Sequence, residues 1–219
     1  MRINQLHEWG VSVAAARKIQ EELAPRVEVS GGPAQPALIC GLDVSVDRWK
    51  SATAAAVILS YPDLKVVEKV VLHGKVEFPY VPGLLSFREI PITSEVCRRL
   101  KNQPDLVMVD GQGFAHPRRI GLASHLGLVL GISTIGCAKS HLCGEYEMPD
   151  TARGSWRPLT SDGEEIGAVL RTREGVKPLF ISVGHKISLS QSIHWVLQCS
   201  NEHRLPEPTR LAHLASRGL

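Results

Sequence analysis

Two aspartates stand where a charge needs a reason. In Ile39-Cys40-Gly41-Leu42-Asp43-Val44-Ser45 a carboxylate interrupts an apolar run, and in Leu106-Val107-Met108-Val109-Asp110 another one ends a run. Strand alternation puts Asp43 on one face with Ile39, Gly41 and Ser45, whose small members leave space beside the carboxylate. Asp110 directly precedes Gly111-Gln112-Gly113, at the carboxyl end of its strand, where open α/β sheets line their binding crevices. Each acid has a plain alternative: a solvent-facing strand residue for Asp43, a turn cap for Asp110. Glu89 falls on a helical stretch four residues beyond Leu85, where a single glutamate is usually solvated. Collectively, two strand carboxylates and one helix carboxylate make an oxygen-rich set suited to hard divalent cations such as Mg²⁺. Two such ions can activate a water and stabilise the leaving oxygen in phosphodiester hydrolysis.

Basic and imidazole groups follow the second aspartate: His116, Arg118, Arg119 and Lys139. Lys139 comes after the run Ser133 to Ala138, so it too emerges at a strand's carboxyl end. Its ordinary reading is a surface charge; opposite bound metal, its ammonium orients a phosphate or the attacking water. His213 lies on the last predicted helix and joins a metal shell only if that helix packs at the sheet edge. Cys137, His141 and Cys143 are close in sequence, but no second ligand pair at zinc-finger spacing accompanies them. Buried or incidental thiols are the better reading of these cysteines.

Elements of two kinds must position these groups. Ser12 to Ala24 reads as a helix capped by Ser12 and ended by Pro25. Ala37–Val46, Ala52–Leu59 and Val66–Phe78 read as three strands, the first turn containing Asp47 and the second Tyr61-Pro62-Asp63, which predicts an antiparallel meander. Then helices and strands alternate: a helix from Leu84 to Leu100 with Pro91 breaking it or opening its second half, a strand Asp105–Val109, a helix Gly121–Leu130 and a strand Ser133–Ala138. Two more strands, Ile166–Arg171 and Leu179–Val183, precede helices Ser188–Cys199 and Thr209–Ser216, each opening with a capping hydroxyl. The pattern predicts a mixed α/β sheet flanked by helices.

Composition bounds the class. The 219 residues are 43% hydrophobic, enough for one domain with a real core and too much for a mostly disordered chain. The N-terminus has no apolar stretch of signal-peptide length, and runs such as Ala54–Leu59 are far too short to span a bilayer. Five scattered cysteines without a C-x-x-C pair fit free thiols in a reducing cytoplasm. The net charge of +3 gives no warrant for nucleic-acid binding by itself. It is unevenly spread, −1 over residues 1–97 and +4 over 98–219. If Asp43, Glu89 and Asp110 are committed to metal, the remainder carries +6, a more basic surface than the total suggests.

Five ordered blocks carry a specific resemblance. They are Gly41-Leu42-Asp43-Val44-Ser45; Pro79-Tyr80-Val81-Pro82-Gly83-Leu84-Leu85-Ser86-Phe87-Arg88-Glu89; Val109-Asp110-Gly111-Gln112-Gly113 with His116-Pro117-Arg118; Gly136-Cys137-Ala138-Lys139-Ser140; and Leu205 through His213. Over nearly its whole length the chain resembles the endonuclease V family, deoxyinosine 3′ endonucleases of the ribonuclease H-like superfamily. The resemblance implies one such domain over residues 1–219, with a ribonuclease H-like sheet of a three-strand antiparallel meander plus parallel strands. It implies that Asp43, Glu89 and Asp110 are metal-binding carboxylates, Lys139 a catalytic lysine, and His213 a position near the metals where some members have Asp. Pro79, Tyr80, Val81 and Pro82 match a strand-separating wedge; Gly83, Leu85, Gly111, His116, Gly121 and Leu122 match the hypoxanthine pocket.

The wedge makes physical sense. Prolines pin the backbone on either side of Tyr80, and an aromatic ring between bases replaces roughly 1–3 kcal/mol of lost stacking. A mispaired base is easier to extrude than a Watson–Crick one, which biases recognition towards lesions. The glycines of the pocket would let backbone amides approach the extruded base, and a tight wall would exclude the amino group of guanine. The implied activity is Mg²⁺-dependent hydrolysis (Mn²⁺ substituting) of the second phosphodiester 3′ to deoxyinosine in DNA, by a cytoplasmic monomer with no membrane partner. Other lesions are within its implied reach. Two other functions stay open on the sequence: an endoribonuclease cutting inosine-containing RNA, and a non-catalytic inosine-binding adaptor.

Overall fold

Alternation and apolar content divide the chain into sheet and cover. The structure, a computed structural model, describes residues 1–47 and 51–219. Leu38–Val46 (β1), Ser51–Ser60 (β2) and Val66–Lys75 (β3) form the expected antiparallel meander, Asp43 lying opposite Ala55 and Ser45 opposite Thr53. Most of the polar turn expected between β1 and β2, residues 48–50, lies outside the described residues. β2 is apolar on both sides because both are covered. Ala54, Ala56 and Ile58 face one core cluster, while Ala55, Val57 and Leu59 face another that contains Ala212 and Ala215. β3 leaves the ladder at Lys75, three residues earlier than predicted. Phe78 instead packs with Ala16, Leu84 and Phe87, the first of them on helix α1 (Val13–Leu23).

Helix α2 spans Leu85–Arg99 without a break at Pro91. The proline removes the N–H that would bond the Phe87 carbonyl, yet Ile90, Ile92, Val96 and Cys97 anchor both halves in the core, and packing outweighs that cost. Strand β4 (Leu106–Val109), helix α3 (Leu122–Leu130) and strand β5 (Ser133–Ala138) follow, with β1, β4 and β5 parallel. α3 is buried along its whole length, its polar Ser124 and His125 hydrogen-bonded to the Val183 carbonyl and the Ser86 hydroxyl. The last three strands are antiparallel: β6 (Trp156–Ser161), β7 (Glu164–Leu170) and β8 (Leu179–His185). β8 closes antiparallel on β5, giving one eight-stranded mixed sheet of order β3-β2-β1-β4-β5-β8-β7-β6.

Two helices complete the cover. Ser188 caps α4 (Leu189–Gln198) by accepting from the Gln191 N–H at 3.2 Å, as expected. α5 begins earlier than the sequence suggested, at Glu207–Ser216, with Pro206 as its N-cap. The Thr209 hydroxyl is no cap: it donates back to the Pro206 carbonyl at 3.0 Å. α5 lies on the face of β1 and β2 rather than at a sheet edge, and Gly41 is the reason. A Cβ there would sit 1.8 Å from the Pro208 carbonyl oxygen, so only glycine lets the helix start come this close. The space expected beside Asp43 is therefore occupied by a helix.

Candidate active site

The parallel strands deliver three charged groups to one place. Register pairs Leu42 with Val109 and Val109 with Gly136, so Asp43 and Asp110 emerge side by side and Lys139 emerges just past the end of β5. The Lys139 ammonium donates to Asp110 Oδ2. α5 adds His213 and Ser216 from above: the Ser216 hydroxyl donates to Asp43 Oδ2, and His213 Nδ1 lies 3.3 Å from that oxygen. The same nitrogen is 3.4 Å from Lys139 Nζ. It can donate to Asp43 or accept from Lys139, not both at once.

Ligand atoms of Asp43, Asp110 and His213 all lie within 4.8 Å of one another, and no other such group of three occurs among the described residues. Two carboxylate oxygens and an imidazole nitrogen with converging lone pairs fit a divalent cation of the Mg²⁺ or Mn²⁺ kind. Cys137, His141 and Cys143 make no comparable group; Cys137 is buried in the core. Glu89 faces the two aspartates from α2 across a gap of about 10 Å³, the scale of one water molecule. Burial, reinforced by the charges of Asp43 and Asp110, pushes its carboxyl up to about 8, with Arg88 opposing weakly. Burial likewise raises Asp110, against the pull of Lys139.

A cleft of about 320 Å³ opens beside these groups, and its lining joins most of the residues predicted from sequence. Tyr80, Val81, Pro82, Gly83, Leu85, Gly111, His116 and Gly121 line it together with Asp110 and Lys139. Tyr80 is 73% exposed, an aromatic ring held out into solvent. Pro79 lies just outside, on a groove behind α2. Leu122 lines no part of the cleft and belongs to the core, packed under Gly111. Gly121 is fixed by internal packing, since a Cβ there would sit 2.4 Å from the Gln112 carbonyl oxygen.

His116 is not free to read a base by its ring nitrogens. Nε2 donates to the Gly83 carbonyl at 2.9 Å and Nδ1 accepts from the Arg118 N–H at 3.1 Å, which requires the neutral ring. Burial agrees, lowering its pKa to about 4. The Gly83 carbonyl also accepts from Arg118 Nη2 at 2.9 Å and Gln20 Nε2 at 3.0 Å. The foot of the Tyr80 loop is thus tied by three donors. Gln20 and Ser216 were not anticipated, because their partners are more than 60 residues away and nothing local marks them. Arg204 was also missed: its Nη2 donates to the carbonyls of Lys139 at 2.8 Å and Pro178 at 2.7 Å.

The sequence profile of the endonuclease V family matches residues 21–214. The chain belongs to the endonuclease V family. Among curated relatives, endonuclease V of Trichormus variabilis is 49% identical over 214 residues, covering 97% of each chain. Among solved structures, endonuclease V of Streptomyces avermitilis superposes with a TM-score of 0.91 at 43% identity, covering 99% of this chain and 96% of that one. Ciona intestinalis endonuclease V, in complex with a 24mer DNA containing an inosine followed by a ribo-adenosine, superposes with a TM-score of 0.83 at 30% identity. That match covers 94% of this chain and 96% of the other. Like other endonucleases V, this protein is a metal-dependent nuclease, a hydrolase, on the ribonuclease H-like fold its motifs suggested. Among the described residues no helix is long and apolar enough to cross a membrane.

Proposed function

We propose that this endonuclease V is a DNA repair enzyme that recognises deoxyinosine and hydrolyses the second phosphodiester 3′ to it, leaving 3′-hydroxyl and 5′-phosphate ends. One observation carries the reading: a single cleft is lined together by the exposed Tyr80, by Gly83 and Gly111, and by Asp110 and Lys139. Tyr80 fills the gap left in the stack, the cleft receives the extruded base, and the strand passes on to the carboxylates. The Ciona intestinalis relative, solved with inosine-containing DNA, supports the substrate class.

Asp43 and Asp110 would hold Mg²⁺, with Mn²⁺ accepted by the same donors, and Glu89 would help hold a second ion or its waters. Bound there, the ion supplies Lewis-acid stabilisation of the charge that builds on the phosphate. Lys139, fixed by Asp110, presents its ammonium to a non-bridging phosphate oxygen. Water attacks phosphorus and gives up a proton to solvent, the P–O3′ bond breaks, and the departing 3′ oxygen takes up a proton; His213 either completes the metal shell or, unligated, carries that proton. The residues 1–219 act as one domain, as a monomer in the cytoplasm.

The test is a nicking assay on a duplex with one deoxyinosine, mapped to the nucleotide, with and without chelator. Asp110→Ala should abolish nicking while inosine binding persists. Near-normal Mg²⁺-dependent cleavage by that variant would sink the assignment. One observation favours a second reading, cleavage of inosine-containing RNA: the relative's bound strand carries a ribonucleotide after the inosine. Matched DNA and RNA oligonucleotides, each with one inosine, separate the two by rate.

A further inference from the structure

α5 covers the meander face only as far as Ser216, and the next rung of the sheet is left open. Along β1, Asp43 and Ser45 share a face, and Ser45 lies opposite Thr53, which lies opposite His73. This row is one rung beyond Asp43, about 7 Å along the strand, and its strands step away at about 5 Å each. It floors an open trough of about 660 Å³ whose rim is Ser216 and Arg217. Its lining is the hydroxyls of Ser45, Thr53 and Ser216, the His73 imidazole, the Arg217 guanidinium and the chain's last two residues, Gly218 and Leu219. Asp47, farther along, has Oδ1 committed to the Ser51 N–H at 2.9 Å.

Sheet order fixes the direction. The cleft holding Gly83 and Gly111 lies at the ends of β4 and β5, the carboxylates sit at β4 and β1, and the trough lies across β1, β2 and β3. The row thus lies across the carboxylates from the cleft, and a strand whose lesion occupies the cleft and whose scissile phosphate sits at Asp43 and Asp110 can continue over it. Resting on the functional reading above, we infer that Ser45, Thr53, His73 and Arg217 seat the phosphodiester immediately 3′ to the one cleaved. Ser45 and Thr53 hydroxyls donate to its oxygens, and Arg217 supplies the charge. Thr53 Oγ1 and His73 Nδ1, 3.0 Å apart, hold each other in place.

The test compares binding of two inosine strands, one continuing past the cut and one ending at the cut linkage, by wild type, Thr53→Val and the pair His73→Ala with Arg217→Ala. His73 and Arg217 are exposed, and Thr53→Val keeps shape, so all variants fold. Wild type should prefer the longer strand about tenfold, the worth of one charge-assisted contact. The double variant should lose most of that preference and reduce the salt slope of binding by roughly 0.8. A single neutral methylphosphonate at that linkage should cost wild type the same factor and the double variant almost nothing. Equal loss in both, or no length preference in wild type, overturns the seat. Absence of inosine-directed nicking by wild type, with the length preference intact, would overturn the functional reading and leave the seat standing.

Discussion

Arg204 grips the peptide carbonyl of Lys139. One Nη2 spans that oxygen and the Pro178 carbonyl, tying the end of β5 to the segment entering β8, while Thr172 donates to the Arg204 carbonyl at 2.6 Å. The ammonium that meets Asp110 is therefore aimed by a residue 65 positions away in sequence.

Arg204→Ala should lower kcat by ten- to a hundredfold, since a displacement near 1 Å costs about that much, with KM nearly unchanged. Arg204→Lys should recover much of the loss, because both carbonyls accept from a single nitrogen, Nη2. Steady-state kinetics on an inosine duplex, with the folded fraction measured by circular dichroism and thermal melting, separates this from a fold defect, which would lower the active concentration instead.

The three donors on the Gly83 carbonyl make a second prediction. Gln20→Ala removes one of them and strands the Ile120 carbonyl, which Gln20 also serves at 3.2 Å. Stability should fall by about 1–2 kcal/mol. The loosened loop should raise KM and narrow the preference for inosine over adenosine, leaving the metal dependence as it was. Competition between the two oligonucleotides measures it.

Glu89 predicts a conflict between stability and activity. A carboxyl raised from 4.5 to about 8 makes the fold progressively less stable as pH rises between those values in the absence of metal. Glu89→Gln keeps shape and removes the ionisation. It should raise the chelated protein's stability at pH 8.5 by a few kcal/mol, on the order of 3, and lose nuclease activity. Thermal melts in chelator beside a nicking assay test both halves.

Acid acts through histidines. Burial lowers His116 to about 4 and His125 to about 3, so both are neutral in the fold while the unfolded chain takes up protons near 6.5. Their contribution is fully present above 6.5 and is lost as pH falls towards 4. His125 is packed against His7, with ring nitrogens 2.8 Å apart, and contacts the Ser86 hydroxyl at 3.1 Å. Urea titrations in the Glu89→Gln background should show stability declining by roughly 3 kcal/mol or more from pH 6.5 to 4. His125→Gln should flatten that decline.

Much of the site was legible because it sits on regular structure. Asp43 and Asp110 betrayed themselves as charges on apolar strands, and Lys139 as a cation at a strand end. His213 was undecided because its meaning depends on where α5 docks; the signal was Gly41, which reads locally as open space and is in fact a contact surface. β6 was missed because Pro158 demotes a strand unless it is an edge, which it is. The hairpin signal Asp162-Gly163 after Trp156–Ser161 could have found it. Ser216 and Gln20 carry no such mark. Hydrogen bonds across 173 and 63 residues are properties of packing, not of any window of sequence.

The docking of Pro208 against Gly41 has a consequence in time. The group of Asp43, Asp110 and His213 draws on residues separated by up to 170 positions, and the last of them arrives only on a helix that must settle onto β1. A ribosome releases β1 long before α5. If these residues are the catalytic centre, as proposed above, a chain able to cut nucleic acid does not exist until α5 has docked on β1.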